Sequence, residues 1–149
     1  MNPSLAIYCD GAARLNNIKN VPTKCSIGVV VYLIDSRGNR TRVAQVSRKE
    51  PTAKTNNESE YLAMIKSMKV FREINKETHL PGTIYADSLL VVSQVTGKWQ
   101  CKSETLRPFY VKAVNLYRTL MNKGLSIKHI RREFNQEADA LANQALDQA

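Results

Sequence analysis

The chain has 149 residues, the length of one ordinary domain with a sizeable core. Hydrophobic residues at 43% and charged residues at 23% exclude a disordered or membrane-embedded composition. A formal net charge of +9 points to a polyanionic partner, most simply nucleic acid.

Leu5 to Cys9 is a short apolar run ending in Asp10-Gly11, the pattern of a strand buried on both faces. Ser26 to Ile34, rich in β-branched residues, predicts a second strand. The turn cluster Asp35-Ser36-Arg37-Gly38-Asn39 leads into Thr41 to Val46, which completes a hairpin decorated by Arg37, Arg40, Arg42, Arg48 and Lys49. Tyr61, Met64, Ile65 and Met68 then fall at i, i+3, i+4 and i+7 and predict a helix. Thr83 to Ala86 reads as a short strand stopping at Asp87, and Ser88 caps a helix bearing Val91, Val92 and Val95. Gly97 to Thr105 is polar and has no clear period. A helix from Phe109 through Met121 stops at Gly124, Leu125 to Arg131 is the last strand, and Asn135 caps a final helix to about Leu146. The order βββ-αβα-αβα implies a mixed sheet with helices on its faces, in a single domain over residues 1–149.

Cys9, Cys25 and Cys101 are odd in number and lack paired spacing, which argues against a disulfide framework or a cysteine zinc site. No run approaches the ~20 apolar residues of a membrane span. Met1-Asn2-Pro3-Ser4 shows no secretory pattern, so a cytoplasmic monomer without membrane contact is expected.

Four acids stand at element ends. Asp10 and Asp87 lie where strand runs stop, the place where open α/β sheets bind ligands. Glu60 sits in the first turn of its helix, and Asp139 borders the apolar face formed by Ala138, Ala142, Ala145 and Leu146. Taken singly, each has an ordinary reading as a turn, cap or helix-dipole residue. Taken together they would repel one another without a cation, and oxygen ligands with no His or Cys select Mg²⁺ or Mn²⁺. Metal carboxylates on a basic protein imply phosphate chemistry.

"YCDGAAR", "TNNESEY", "YADSLLVVSQVTGKW" and "NQEADALANQA" resemble, in order, the motifs of type 1 ribonuclease H. The resemblance runs from Leu5 to about Ala145 and implies a ribonuclease H-like α/β fold with a five-stranded mixed sheet. It implies a metal-dependent endonuclease that cuts the RNA strand of RNA–DNA hybrids to 5′-phosphate and 3′-hydroxyl ends. The four acids that bind two Mg²⁺ ions in that family correspond to Asp10, Glu60, Asp87 and Asp139. Asn56 and Asn57 resemble the pair that reads the 2′-hydroxyl in the minor groove, Thr55 a phosphate contact, and Trp99 an aromatic along the DNA strand. Asn16 or Asn17 corresponds to the asparagine of the loop after the first strand. Glu58 is left as a helix-start acid.

Two departures stand out. His129 precedes Asp139 by the spacing of the family's loop histidine, but "LSIKHIRR" reads as strand, leaving Arg131, Arg132 or Glu133 for the loop position. The basic helix that many members insert after the Trp is replaced by "QCKSETLRP", so hybrid affinity is expected to lean on distributed charge, the hairpin arginines included. The rival reading is a non-catalytic module binding RNA–DNA hybrid or double-stranded RNA on the same fold.

Overall fold

A computed structural model describes residues 2–14 and 23–148; Asn16 and Asn17 lie outside the described residues. Five strands, β1 (Ser4–Arg14), β2 (Lys24–Ile34), β3 (Arg40–Lys49), β4 (Gly82–Ala86) and β5 (Leu125–His129), form one sheet in the order β3-β2-β1-β4-β5. The first three make an antiparallel meander, and β4 and β5 add in parallel beside β1. The helices are α1 (Asn56–Thr78), α2 (Leu89–Val95), α3 (Arg107–Met121) and α4 (Gln136–Asp147), with a 3₁₀ turn at Arg132–Phe134.

The period-2 pattern of the central strands sorts side chains onto two faces. Ile7 and Cys9 of β1 join Ile27, Val29 and Val31 of β2, and they pack with Tyr61, Met64, Met68 and Phe71 of α1 in the main core. On the other face α4 lies across β2 with the small residues Ala138, Ala142 and Ala145 fully buried. Ser47 Oγ donates to the Leu141 carbonyl at 2.6 Å, and Ser26 Oγ donates to that of Ala142, which ties α4 to the sheet.

Two glycines set how closely the helices approach. A Cβ on Gly11 would lie 2.4 Å from the Ser59 carbonyl carbon at the start of α1. A Cβ on Gly28 would lie 2.2 Å from the Ala138 carbonyl oxygen of α4. Gly11 pairs with Ile27, the neighbour of Gly28, so the two glycines open opposite faces of the sheet at one level.

The element order matches the sequence expectation, with boundaries moved for identifiable reasons. β1 does not stop at Cys9: its parallel ladder with β4 ends at the Cys9–Ala86 pair, while its antiparallel ladder with β2 continues to Arg14. Asp10 therefore lies one step beyond the parallel ladder but inside the hairpin. β5 ends at His129 rather than Arg131, because the chain turns into the 3₁₀ segment. β3 is longer than Thr41 to Val46, and the register shifts opposite Val31 and Tyr32, leaving Val43 unpaired and about half exposed. Asn135 precedes α4 without the expected side-chain cap bond. Its Nδ2 donates to the Cys9 carbonyl at 2.8 Å, anchoring the start of α4 to β1. No helix among the described residues is long and apolar enough to cross a membrane.

Candidate active site

Asp10, Glu60 and Asp87 each offer a carboxylate oxygen, and these oxygens lie within 4.8 Å of one another. Three separate devices bring them together. Asp10 is carried past the end of the parallel ladder by the continuing hairpin. Asp87 follows β4, the strand parallel to β1, and so emerges beside it. Glu60 reaches the strand because Gly11 admits the first turns of α1, and the Gly11 N–H donates directly to Glu60 Oε1.

Asp139 lines the same cleft from the opposite face of the sheet, at the position that the close contact over Gly28 permits. It stands apart from the tight trio. The Asn143 amide donates to its carboxylate at 3.2 Å, and the Arg132 guanidinium lies 3.9 Å away.

The electrostatics of the trio are unfavourable in isolation. Asp10 is 6% exposed. Burial, then the neighbouring Glu60 and Asp87 carboxylates, push its carboxyl far above the usual range. Glu60 is raised as well, chiefly by burial, with the Gly11 N–H and the Arg132 charge acting in the opposite sense. Close, partly buried carboxylates with no His or Cys in the set are the donor chemistry of a hard divalent cation.

Helix start and candidate ligand are now separable in the stretch that opens α1. Thr55 caps the helix, accepting from the Glu58 N–H at 3.1 Å, and its hydroxyl donates to Glu58 Oε2 at 3.1 Å. Glu58 is thus occupied with its own cap and absent from the trio, while Glu60, two residues on, enters it. Asn56 is exposed at the lip of the carboxylate cleft. Asn57 and Thr55 border the adjoining groove with Gln94, Gln100 and Lys102. Trp99 is 46% exposed on the segment after α2, outside both depressions.

His129 is the last residue of β5 and faces a separate groove with Leu89 and Lys128. Of the three residues left for the loop position, Arg132 lines the cleft. The sequence reading passed over Asn143 and Gly28. Asn143 is four residues beyond Asp139, one helical turn, which signals a same-face pair. A glycine inside the β-branched run of β2 signals close backbone approach.

A five-stranded mixed sheet flanked by helices on both faces, with strand-end carboxylates gathered at one pole, defines a ribonuclease H-like α/β protein. The sequence matches the reverse transcriptase-like family over residues 16–145. It is 35% identical to ribonuclease HI of Halobacterium salinarum over 143 residues, 95% of this chain and 64% of that protein. The crystal structure of RNase H1 from that archaeon superposes with a TM-score of 0.75 at 33% identity, covering 98% of this chain and 99% of that one. LC11-RNase H1, isolated from compost and solved in complex with an RNA/DNA hybrid, gives 0.74 at 29% identity, covering 97% of each chain. The chain belongs to the type 1 ribonuclease H family. It spans less than two thirds of the length of the first curated relatives it matches.

Proposed function

We propose that the protein is a metal-dependent endonuclease that hydrolyses the RNA strand of RNA–DNA hybrids, leaving 5′-phosphate and 3′-hydroxyl ends. The observation that carries this reading is the Asp10–Glu60–Asp87 cluster beside Asp139 in a protein of family and fold shared with an RNase H1 bound to hybrid. A pure binding module would gain nothing from buried carboxylates that repel each other and the phosphates.

Asp10, Glu60 and Asp87 would hold Mg²⁺ or Mn²⁺, with Asp139 completing a site for two ions. When bound, such ions supply Lewis-acid stabilisation of the phosphodiester and activation of water. The chain's own groups do the rest. The Gly11 N–H fixes the Glu60 carboxylate, and Asn143 holds that of Asp139, so the donors are positioned before substrate arrives. Asn56 and Asn57, exposed beside the cleft, have amides that both donate to and accept from a 2′-hydroxyl. Trp99 offers an exposed aromatic face to the DNA strand. Arg132, exposed and 3.9 Å from Asp139, takes the loop role and helps the anionic product leave.

The test is direct. Labelled RNA–DNA hybrid, RNA duplex and DNA duplex are incubated with Mg²⁺ and either the wild type or Asp87→Asn. Cleavage of the hybrid alone, lost in the variant, is expected. Tight hybrid binding without cleavage by the wild type would favour the binding module instead.

A further inference from the structure

α1 presents a second charged surface on the side turned away from Glu60. Lys66, Lys69, Arg72 and Lys76 recur at spacings of three and four, which places them on one arc of the helix. At 1.5 Å per residue this arc runs from about 9 to about 24 Å along the axis from Glu60. α3 packs against α1 and brings Lys112 against Lys69. Lys123, just past the end of α3, joins Arg72, Lys76 and His79 around one depression.

Acids answer this array only in part. Glu73 lies 3.7 Å from Arg72 and 3.2 Å from Lys76. Among the described residues, Lys66, Lys69, Lys112 and Lys123 have no carboxylate at ion-pair distance, and Glu77 on the adjoining arc pairs with none of them. Lys69 is half-buried, and its ammonium is pushed below its ordinary value first by burial and then by Lys112, Lys66 and Arg72. The packing of α3 on α1 places the bases of these side chains side by side. A line of anions would relieve them.

We propose that the α1–α3 seam is a second nucleic-acid-binding surface, which takes the phosphodiester backbone of a segment other than the one lying at the carboxylates. The roughly 15 Å from Lys66 to Lys76 faces about four phosphates of one strand at 3.4 Å per step. Contacts to phosphates carry no sequence information, so a seam that grips the backbone takes DNA or hybrid without sequence preference. A straight duplex in the cleft cannot also lie along the far side of α1, so the protein holds two segments at once or the bent flank of a long one. Only the identity of the polyanion rests on the proposed hybrid-cutting function.

The test uses a fluorescent DNA duplex as probe, with anisotropy read in the presence of saturating short unlabelled hybrid and no divalent cation. Wild type should still bind the probe. Lys69→Glu with Lys112→Glu should bind it about tenfold more weakly, with a shallower salt dependence, while cleaving short hybrid in Mg²⁺ at the wild-type rate. Lys76→Glu with Lys123→Glu tests the far end of the seam and should act in the same direction. Unchanged probe affinity in both double variants, or displacement of the probe by short hybrid, would overturn the seam. A protein that cuts no hybrid yet loses probe binding on charge reversal overturns the cleft reading and leaves the seam standing.

Discussion

The carboxylate cleft and the lysine seam are both crowds of like charge, yet they differ in what holds them. At the cleft, backbone holds the charges. Asp10 is fixed in β1 by its pairing with Gly28 of β2, and Glu60 is pinned by the Gly11 N–H. Two ionised carboxylates within 4.8 Å of each other would repel by at least about 3 kcal/mol at an effective dielectric near 20. At the seam the charges end long stems, and Lys112 and Lys123 are exposed, so repulsion is dissipated in solvent. The difference teaches what each cluster selects. A rigid buried set demands a small ion of matching charge and geometry, whereas a supple exposed set accepts any extended anion.

The largest expected effect tests the rigidity of the cleft. Glu60→Gln should lower hybrid cleavage by about 1,000-fold or more, while Glu58→Gln, which changes only the helix cap, should stay within about twofold. Steady-state cleavage of one hybrid by the two variants decides it, and the reverse ranking would mean that the wrong acid has been placed in the site.

Proton linkage gives the next effect. Asp10 and Glu60 both titrate above the ordinary carboxylate range, so the metal-free native state keeps protons that the unfolded chain has released. Their contribution to stability is full below that range and is lost as pH rises through neutrality. In chelator, the melting temperature should fall as pH goes from acidic to alkaline. Asp10→Asn should flatten that slope and raise the neutral midpoint by at least about 4 °C. Added Mg²⁺ should restore the wild type and do little for the variant. A pH-independent midpoint in chelator would mean that the cluster carries no repulsion to relieve.

Smaller effects mark the border between the two regions. Arg132→Ala should slow turnover about tenfold and lower KM in step, leaving kcat/KM nearly unchanged, which separates a product-release role from a binding one. His129→Ala, by contrast, should leave turnover within about twofold, since that side chain faces another groove. Trp99→Ala should raise KM a few-fold at constant kcat, because an exposed ring contributes to binding alone. The smallest change is expected on the hairpin. Arg42 is already paired with Glu137 and Tyr32 at the surface, and Arg42→Ala should leave the denaturant midpoint nearly unchanged.

That hairpin carries charges whose partners the sequence did not show. Its basic residues read as part of the hybrid grip, yet three of them are engaged within the chain. Arg40 stacks over Tyr32 at 4.2 Å, Arg42 pairs with Glu137, and Arg48 lies 2.8 Å from Glu50. No local pattern showed the seam, because Lys69 meets Lys112 only when α3 packs on α1. The fold was far more legible. Apolar and β-branched runs and turn clusters located the five strands described, and the apolar spacing from Tyr61 to Met68 located α1, because those signals are local. Motif register alone chose Glu60 over Glu58 as candidate ligand; in the structure Glu60 lies beside Asp10 and Asp87, while Glu58 accepts from the Thr55 hydroxyl. The approach of Arg132 to Asp139 was legible only as one of three options, since loop direction is set by where β5 ends.

The bulge at Val43 has a consequence for the molecule in company. β3 is the outer strand of the sheet and presents unpaired backbone amides and carbonyls along its free side. A flat strand there would invite a second molecule to continue the sheet. The unpaired Val43 breaks the repeat of that edge, and Arg40, Arg42, Arg48 and Lys49 set cations along the same strand. The outer strand is thereby protected against intermolecular β-pairing.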